Sequence, residues 1–250
     1  MGVNNSVQIN SSNGVVGESF PALTLSAAGS NRTLWIFNLS KYNSLPVGTT
    51  AAIVVDSAGV NATIANGKVV SVGVDQVAVE GSFSNIKEAY RVLDANLPVG
   101  AGSIVIDTTL DLAPNYSHWV AVEITGYQDA IDATTEVSDL VDVAAGIDFN
   151  LSVTTTVPNC LVLDMWALSH SSIPTRTANQ NLIQFGAHGN GSFMASWVIK
   201  TLTGAQVMTE NVSTLHQRRA GMWISLAPVV TVSNKVKLIN GGLINSGLIQ

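Results

Sequence analysis

The sequence has few charged side chains and few aromatic ones. Of its 250 residues, 11% are charged and 6% are aromatic, and the formal net charge is -6. Only 11 of them are lysine or arginine, too few cations to neutralise a run of nucleic-acid phosphates. The composition therefore argues against nucleic-acid binding. A surface made polar by hydroxyl and amide groups is instead typical of proteins that pack against neighbouring subunits.

Cysteine and metal-binding patterns are also lacking. The single cysteine, Cys160, excludes an intrachain disulfide, and its place in an apolar run predicts a small buried side chain. The four histidines are scattered, without the His-x-x-His or Cys-x-x-Cys spacing of a ligand pair. We expect no metal site and no cofactor.

Long apolar runs and catalytic signatures are missing as well. No segment is long enough to span a bilayer, and residues 1–12 lack the basic and apolar regions of a signal peptide. The acidic residues Asp107 and Asp111, like Asp139 and Asp142, form no recognisable acid-base pair and fit solvated loops better. We therefore predict neither a membrane association nor catalytic residues.

What the sequence does contain is a series of short β-branched and apolar runs separated by turn residues. Residues 160–168 follow the Pro158-Asn159 break and are apolar at nearly every position, which predicts a strand covered on both faces. Asn66-Gly67 is the strongest hairpin signal in the chain. Short strands at regular spacing, with almost no helical period, predict an all-β, jelly-roll-like sandwich.

One acidic side chain interrupts the apolar run. Asp164 lies between Leu163 and Met165, and a buried carboxylate is costly unless it is paired. We expect it at a sheet surface, or accepting hydrogen bonds from Ser or Thr or from an arginine such as Arg218 or Arg219.

The aromatic residues predict core packing more than a binding platform. All five tryptophans occur within apolar strands, which favours a buried position over stacking on a sugar. If the chain has a carbohydrate-binding surface, the loops predicted at residues 42–48, 127–132 and 169–181 would form it. The tryptophans concerned are Trp35, Trp119, Trp166, Trp197 and Trp223.

The chain divides into three parts on composition. Residues 1–29 are polar and turn-rich, and we predict an N-terminal arm that can donate a strand. Residues 30–228 hold the predicted β-sandwich domain, as one domain. The acidic stretch 129–142 within it is compatible with a short helix or a long exposed loop. Residues 229–250 form the predicted C-terminal docking tail.

That tail contains a repeat of five residues. Each unit offers an adjacent Leu-Ile pair followed by turn-forming asparagine and glycine or serine, so one helix or strand cannot bury all the pairs. Exposed pairs of this kind promote aggregation, so we expect them to pack on the chain's own sandwich or on another subunit. The predicted partner-docking residues are Leu238, Ile239, Leu243, Ile244, Leu248 and Ile249.

The order of these segments resembles a jelly-roll-like β-sandwich module that recurs in bacteriophage virion proteins and in some bacterial surface proteins. The likeness covers roughly residues 19–228 and rests on strand order and turn chemistry. The segments that carry it are Asn31-Arg32-Thr33-Leu34-Trp35-Ile36, Tyr90-Arg91-Val92-Leu93, Leu97-Pro98-Val99-Gly100, Ile104-Val105-Ile106, and residues 118–126, 153–167 and 220–228.

The resemblance implies a structural or binding role without an enzymatic one. The first hypothesis is a head decoration or cement subunit of a phage virion. Such a subunit would be a homo-oligomer, for example a trimer, and would contact capsid proteins or neighbouring subunits through its terminal arms. The second hypothesis is a tail- or fibre-associated adhesin that binds a host glycan. A hydrolase is a third and weaker hypothesis.

Overall fold

A computed structural model describes residues 2–12, 15–27, 31–42, 48–57, 60–73, 76–80, 83–139, 148–168, 175–176, 179–188, 191–211 and 219–229. These ranges consist of β-strands and their connections, and the only helix within them is a 3-10 turn at Asp94–Asn96. No helix in the described ranges has the length and apolar character needed to cross a membrane. The predicted all-β sandwich is confirmed.

The first eleven strands form two sheets, in which every pairing is antiparallel. One sheet has the order β1-β11-β4-β9-β7, with β8 also paired to β9, and the other has the order β2-β10-β5-β6, with β3 also paired to β10. The strands are β1 (Gly2–Ser12), β2 (Gly17–Ser19), β3 (Leu23–Leu25), β4 (Arg32–Tyr42), β5 (Thr50–Ser57), β6 (Val60–Thr63), β7 (Val69–Ser71), β8 (Gln76–Glu80), β9 (Phe83–Leu93), β10 (Gly102–Leu110) and β11 (Tyr116–Thr125).

The remaining eight strands form two further antiparallel sheets. Their orders are β12-β19-β14-β17-β16 and β13-β18-β15. The strands are β12 (Tyr127–Asp139), β13 (Asp148–Thr155), β14 (Cys160–Leu168), β15 (Thr175–Arg176), β16 (Asn181–His188), β17 (Gly191–Lys200), β18 (Gly204–Asn211) and β19 (Arg219–Pro228).

The two sets of strands repeat one topology. In each, the opening strand pairs with the closing strand, the closing strand pairs with a strand from the middle, and that strand pairs with a second middle strand: β1-β11-β4-β9 and β12-β19-β14-β17. The other sheets, β2-β10-β5-β6 and β13-β18-β15, also correspond. This interleaved order is that of a jelly roll. Instead of the one sandwich predicted over residues 30–228, the described strands form a first jelly roll (β1–β11) and a second (β12–β19), joined at Gly126.

The four sheets stack into layers separated by three hydrophobic cores. We call β1-β11-β4-β9-β7 and β12-β19-β14-β17-β16 the inner sheets, and the other two the outer sheets. Along β4, Leu34 and Ile36 face the first outer sheet while Trp35 and Phe37 face the second inner sheet. Strand β14 is likewise covered on both faces, as predicted for residues 160–168.

The inner sheets meet through equivalent faces in a pseudo-two-fold arrangement. Strand β1 contacts β16, and reciprocally β12 contacts β8. His118 precedes Trp119 in the closing strand β11, and Met222 precedes Trp223 in the closing strand β19. Each of these two side chains contacts a glycine of the opposite jelly roll. A Cβ on Gly186 would lie 3.1 Å from His118 Nδ1, and one on Gly73 would lie 2.4 Å from Met222 Cε. Such reciprocity is the geometry of an isologous dimer interface, here within one chain.

A buried polar pair occupies the same place in both jelly rolls, across the middle strands of the inner sheet. Asp164 of β14 is opposite Ser196 of β17, and its Oδ1 accepts hydrogen bonds from the Ser196 N–H at 2.9 Å and hydroxyl at 2.5 Å. The Gln180 amide also donates to Asp164 at 3.4 Å. The predicted hydrogen bonding from serine is confirmed, whereas Arg218 lies outside the described residues.

In the first jelly roll the equivalent pair is Asn38 and Glu88. Asn38 is opposite Glu88 in the pairing of β4 with β9, and its Nδ2 donates to Glu88 Oε2 at 2.6 Å. The same carboxylate accepts the Thr50 N–H at 2.9 Å, which ties the inner sheet to β5. On the neighbouring strand, Trp119 is paired with Asn38 and Trp223 is paired with Asp164. The repeat therefore extends from strand order to individual polar positions.

Two local predictions are wrong. The Asn66-Gly67 turn exists, with Asn66 Oδ1 accepting the Thr63 and Lys68 N–H groups at 3.0 and 3.1 Å. Its flanking strands do not pair with each other, because β6 joins the outer sheet and β7 the inner one. The acidic stretch predicted as a helix or loop is largely β12, where two register shifts before Ala133 interrupt the alternation that marks a strand.

The N-terminal segment also differs from the predicted arm at residues 1–29. Residues 2–12 form the edge strand β1, paired along its length with β11 of the same chain. Phe20, Leu23 and Leu25 are buried in the core between the first inner and outer sheets. Because its apolar side chains are few and widely spaced, this contribution to the core is hard to recognise in the sequence.

Candidate functional site

The closing strands of both jelly rolls end on the same side of the molecule. Strand β11 ends at Thr125, which pairs with Gly2 and Arg32. Strand β19 ends at Pro228, which pairs with Tyr127. Since residues 125–127 are consecutive, both strands must end on the same side of the stack. We call this side the linker end; it also holds the starts of β4 and β14 and the ends of β9 and β17.

The chain continues from the linker end into the predicted docking tail. The Val229 N–H donates to the Gly126 carbonyl at 3.0 Å, and the Gln128 amide donates to the Pro228 carbonyl at 3.1 Å. These bonds fix the last described residue beside the linker. The six predicted docking residues lie beyond it, outside the described residues: Leu238, Ile239, Leu243, Ile244, Leu248 and Ile249.

The linker end also carries exposed apolar side chains. Val99 and Leu202 are 84% and 72% exposed, more than any other large hydrophobic residue in the described ranges. They occupy equivalent connections, from β9 to β10 in the first jelly roll and from β17 to β18 in the second. Val157 and Ile199, at the same end, are partly exposed. Isolated exposed hydrophobics are common, but a group beside a chain terminus marks a candidate contact surface.

A buried arginine holds the loop that carries Val99. Arg32 begins β4 and is fully buried, and its Nε donates to Asp94 Oδ1 at 2.7 Å. Its Nη2 donates to the Pro98 carbonyl at 2.6 Å, and its Nη1 donates to the carbonyl of Ser26. One guanidinium therefore fixes two loops of the linker end through its planar set of donors.

In the second jelly roll a carboxylate has the corresponding role. Asp132 Oδ2 accepts the Thr156 N–H and the Ser225 hydroxyl, both at 3.0 Å, while Oδ1 accepts the Thr156 hydroxyl. Partial burial acts to raise the pKa of Asp132, but the hydrogen bonds from Thr156, Ser225 and Cys160 outweigh it and the pKa lies below its ordinary value. The loop that carries Val157 is fixed by this carboxylate.

Cys160 is part of the same cluster and is buried, as predicted. Its Sγ lies 3.2 Å from the Val157 carbonyl and 3.7 Å from Asp132 Oδ2. Burial is the main cause that raises the pKa of its thiol, and the negative charge of Asp132 adds to it. The thiol is thus held in its protonated, unreactive form at neutral pH.

The residues that could support catalysis are separated in the structure. Asp107, on β10, accepts a hydrogen bond from Ser19, whereas Asp111 accepts the Thr49 N–H at 2.7 Å. Each carboxylate thus has a local structural partner. The side chains of Asp139 and Asp142 lie outside those that the structure describes.

Histidines and other potential ligands do not converge either. His118 packs against Phe193 between the inner sheets, with ring centroids 4.6 Å apart. Within the described ranges, no three His, Cys, Asp or Glu side chains come together as a metal site. The glycine-rich stretch at residues 186–191 connects β16 to β17, which pair with each other as a hairpin.

The surfaces suggested for carbohydrate binding are only partly described. Four tryptophans are buried, as predicted, and Trp197 is half-buried against the core between the inner sheets. Residues 127–132 are strand rather than loop, and Tyr127 lies in the same core. Most of residues 42–48 and 169–181 are outside the described residues. The buried tryptophans are Trp35, Trp119, Trp166 and Trp223.

Sequence reasoning missed Val99 and Leu202. Each is a single apolar residue between turn or polar residues, Pro98-Val99-Gly100 and Thr201-Leu202-Thr203. That local pattern was a usable signal, because an apolar side chain in a short turn cannot reach the core. What the sequence could not reveal is that the two loops lie at one end. Comparison with protein-family models, curated proteins and solved structures finds no match for this chain.

Proposed function

We propose that this chain is a non-enzymatic structural protein of a bacteriophage virion, a head decoration or cement subunit. It binds the capsid through its linker end and the segment that continues from it. The observation that carries the proposal is the position of Val229 beside the linker, on the end that displays Val99 and Leu202. An apolar tail and apolar loops at one end form a surface suited to docking.

Three further features support a structural role. The chain has few charges, so its surface can approach other subunits without strong repulsion or costly desolvation. Jelly rolls are frequent in viral capsid proteins. These charged groups serve the fold, since the buried Arg32 and Asp164 and the partly buried Asp132 each bind loop or sheet atoms of their own chain. In this proposal the subunit acts as a homo-oligomer, for example a trimer, on the virion surface.

The proposal is tested by deleting residues 238–250 and measuring binding to assembled capsids by co-sedimentation. We expect capsid occupancy to be lost while the jelly rolls still unfold cooperatively, because the deleted residues follow the last described strand. Unchanged occupancy would contradict the docking role of the tail. A density map of intact particles provides the direct test of location, and absence of the chain from the capsid would overturn the assignment.

A matched pair of variants separates apolar docking from a general effect of charge. Leu243→Asp with Ile244→Asp introduces two carboxylates into one apolar pair, whereas Asn240→Asp with Asn245→Asp introduces the same charge between the pairs. We expect only the first combination to abolish capsid binding, since burying an unpaired carboxylate is costly. Equal loss in both variants would indicate charge repulsion instead.

The alternative is a tail- or fibre-associated adhesin that binds a host glycan. The observation in its favour is the outward face of the second outer sheet, which presents hydroxyl and amide groups such as Asn150, Thr154 and Thr209. These groups can hydrogen-bond to sugars, although the four buried tryptophans are not available for stacking. Glycan-array binding that is lost on mutation of Asn150 and Thr154, or of residues 169–181, is the result that would favour this function.

A further inference from the structure

The two outer sheets differ at one position. In the first jelly roll, β10 is flanked by β5 from Val105 to Leu110. In the second, β18 is flanked at the equivalent place by β15, which pairs only with Asn211 and Glu210. No described residue pairs with β18 on that side between Gly204 and Thr209. Among the residues that the structure describes, this strand position beside residues 204–209 is unoccupied, and we call it the β18 slot.

The backbone direction of β18 shows which groups face the slot. The Thr209 N–H donates to Gln180 Oε1 at 3.0 Å, on the side of β15. The Gly204 carbonyl accepts the Thr155 hydroxyl at 3.1 Å, on the opposite side, toward β13. Since successive residues of a strand point to alternate sides, the peptide groups of Ala205 and Val207 face the slot. The Val207 carbonyl accepts a hydrogen bond from the Gln206 side-chain amide at 2.7 Å, a bond that an added strand would replace. An exposed row of this kind is a template for another strand.

The burial of the side chains around the slot also differs between the two jelly rolls. Ile53 and Val55 of β5 are buried in the core of the first jelly roll. Thr175 and Arg176, the whole of β15, are exposed and add no apolar side chain to the second core. On β18 itself Val207 is 49% exposed, more than any strand residue among the large hydrophobics. A strand added beside β18 would complete the sheet as β5 does in the first jelly roll.

The segment after the last described strand has the pattern of such a strand. Val230, Val232, Val236 and Leu238 occupy alternate positions. Between them stand Thr231, Ser233, Lys235 and Lys237. Asn234 falls on the same face as the four apolar residues and interrupts it once. Alternation of apolar and polar residues on either side of Asn234 is typical of a strand with one buried face. The segment at residues 230–238 is therefore a candidate for the missing strand.

We propose that residues 230–238 of one copy occupy the β18 slot of a second copy, as a donated strand. Direction distinguishes the second copy from the same chain. Both β18 and the segment after Val229 begin at the linker end, so a chain filling its own slot directly would run parallel to β18. All described strand pairs are antiparallel. The strand of another copy is free to enter antiparallel, with main-chain bonds to Ala205 and Val207.

Each copy thereby has one donor strand and one slot. A reciprocal exchange gives a closed dimer, and a head-to-tail exchange gives a ring when the rotation closes. The exchange does not depend on where the protein is located, so it stands apart from the proposed virion role. If that role is correct, the exchange leaves the Leu-Ile pairs at residues 243–244 and 248–249 to contact the capsid.

The slot is tested in the full-length chain by measuring molar mass with light scattering. Val207→Pro removes the N–H that faces the slot and leaves the bonds to β13, which come from the even-numbered residues. Val207→Thr keeps the N–H and is the matched control. We expect the unmodified chain and Val207→Thr to be oligomeric, and Val207→Pro to show the mass of one chain. A monomeric unmodified chain, or an oligomeric Val207→Pro variant, would overturn the proposal.

Variants in the donor strand keep the test valid if Val207→Pro fails to fold. Val232→Asp with Val236→Asp places charge on the apolar face, and Thr231→Asp with Ser233→Asp places it on the polar face. The first pair should give monomers and the second should remain oligomeric; equal behaviour of the two would contradict strand donation. Loss of capsid binding with oligomers intact would instead implicate the Leu-Ile pairs, so the two proposals fail separately.

Discussion

At the scale of single residues, one buried and one partly buried charge of this protein organise loops. Arg32 and Asp132 occupy the linker end of the first and second jelly roll, respectively. Each satisfies several polar groups of a neighbouring connection, and each stands beside an exposed apolar residue. The candidate docking surface is thus fixed from beneath by hydrogen bonds rather than by hydrophobic packing.

Asp132 makes the second of these loops sensitive to acid. Because its pKa is lowered in the folded state, its stabilising contribution is present above the unfolded-state pKa of about 3.9 and is lost as the pH falls through the folded-state value. We expect Asp132→Asn to lower the free energy of unfolding at pH 7, and the difference from the unmodified protein to shrink below about pH 4. Urea denaturation at a series of pH values measures both quantities.

The control for this experiment is Asp56→Asn, which removes a carboxylate exposed on β5. It changes the net charge equally without removing a bond to a loop. A difference between Asp132→Asn and the unmodified protein that stays constant down to pH 2 would contradict the assigned role of the Asp132 carboxylate.

At the scale of elements, Arg32 connects three parts of the first jelly roll. Its guanidinium binds the segment after β3, the 3-10 turn after β9 and the following loop, through Ser26, Asp94 and Pro98. Arg32→Met removes these donors and leaves three partly buried acceptors, among them the Asp94 carboxylate, without the arginine. We expect a loss of about 3–5 kcal/mol in the free energy of unfolding, the range found when a buried pair is broken.

Lys68→Met provides the comparison, since Lys68 lies in the turn before β7 and is half-buried. Its removal should cost much less than that of Arg32 in the same denaturation experiment. Hydrogen exchange should also show faster opening of residues 94–101 in Arg32→Met. Equal protection of that loop in both variants would show that Arg32 does not hold it.

Some strands of the structure could be predicted from the sequence and others could not. The unbroken apolar pattern of residues 160–168 identified β14 as a strand covered on both faces, and the apolar context of the tryptophans placed four of them in the core. The register shifts in β12 concealed a strand, because the alternation fails there. The Asn66-Gly67 turn was recognised, but its sequence carries no information on which sheet each flanking strand joins.

The candidate site was predictable to a smaller extent. The Leu-Ile pairs of the tail are evident as a sequence repeat, but they lie outside the described residues. The linker end was not, because it depends on pairings such as Thr125 with Arg32 and Pro228 with Tyr127, which join residues far apart in sequence. The internal repeat was hidden for a related reason. Its equivalent polar positions hold different residues, Asn38 and Asp164.

At the scale of the whole molecule, the inner sheets of the two jelly rolls share one hydrophobic core. Gly73, in the first jelly roll, has φ +73°, and a Cβ there would lie 2.4 Å from Met222 Cε and less than 3 Å from Glu136 Cδ, both in the second. Gly67 has nearly the same backbone conformation, φ +71°, with nothing within 4 Å of a Cβ. The two glycines thus differ only in whether the opposite jelly roll is near.

Comparing Gly67→Ala with Gly73→Ala measures the effect of overpacking the interface between the jelly rolls. Gly67→Ala should cost only the left-handed conformation, about 1 kcal/mol, whereas Gly73→Ala should cost roughly 1–3 kcal/mol more through overpacking. Because the affected core belongs to both jelly rolls, we expect Gly73→Ala to shift one cooperative unfolding transition, followed by calorimetry and tryptophan fluorescence. Equal losses in the two variants, or two transitions of which only one moves, would mean that the jelly rolls are stable independently of their shared core.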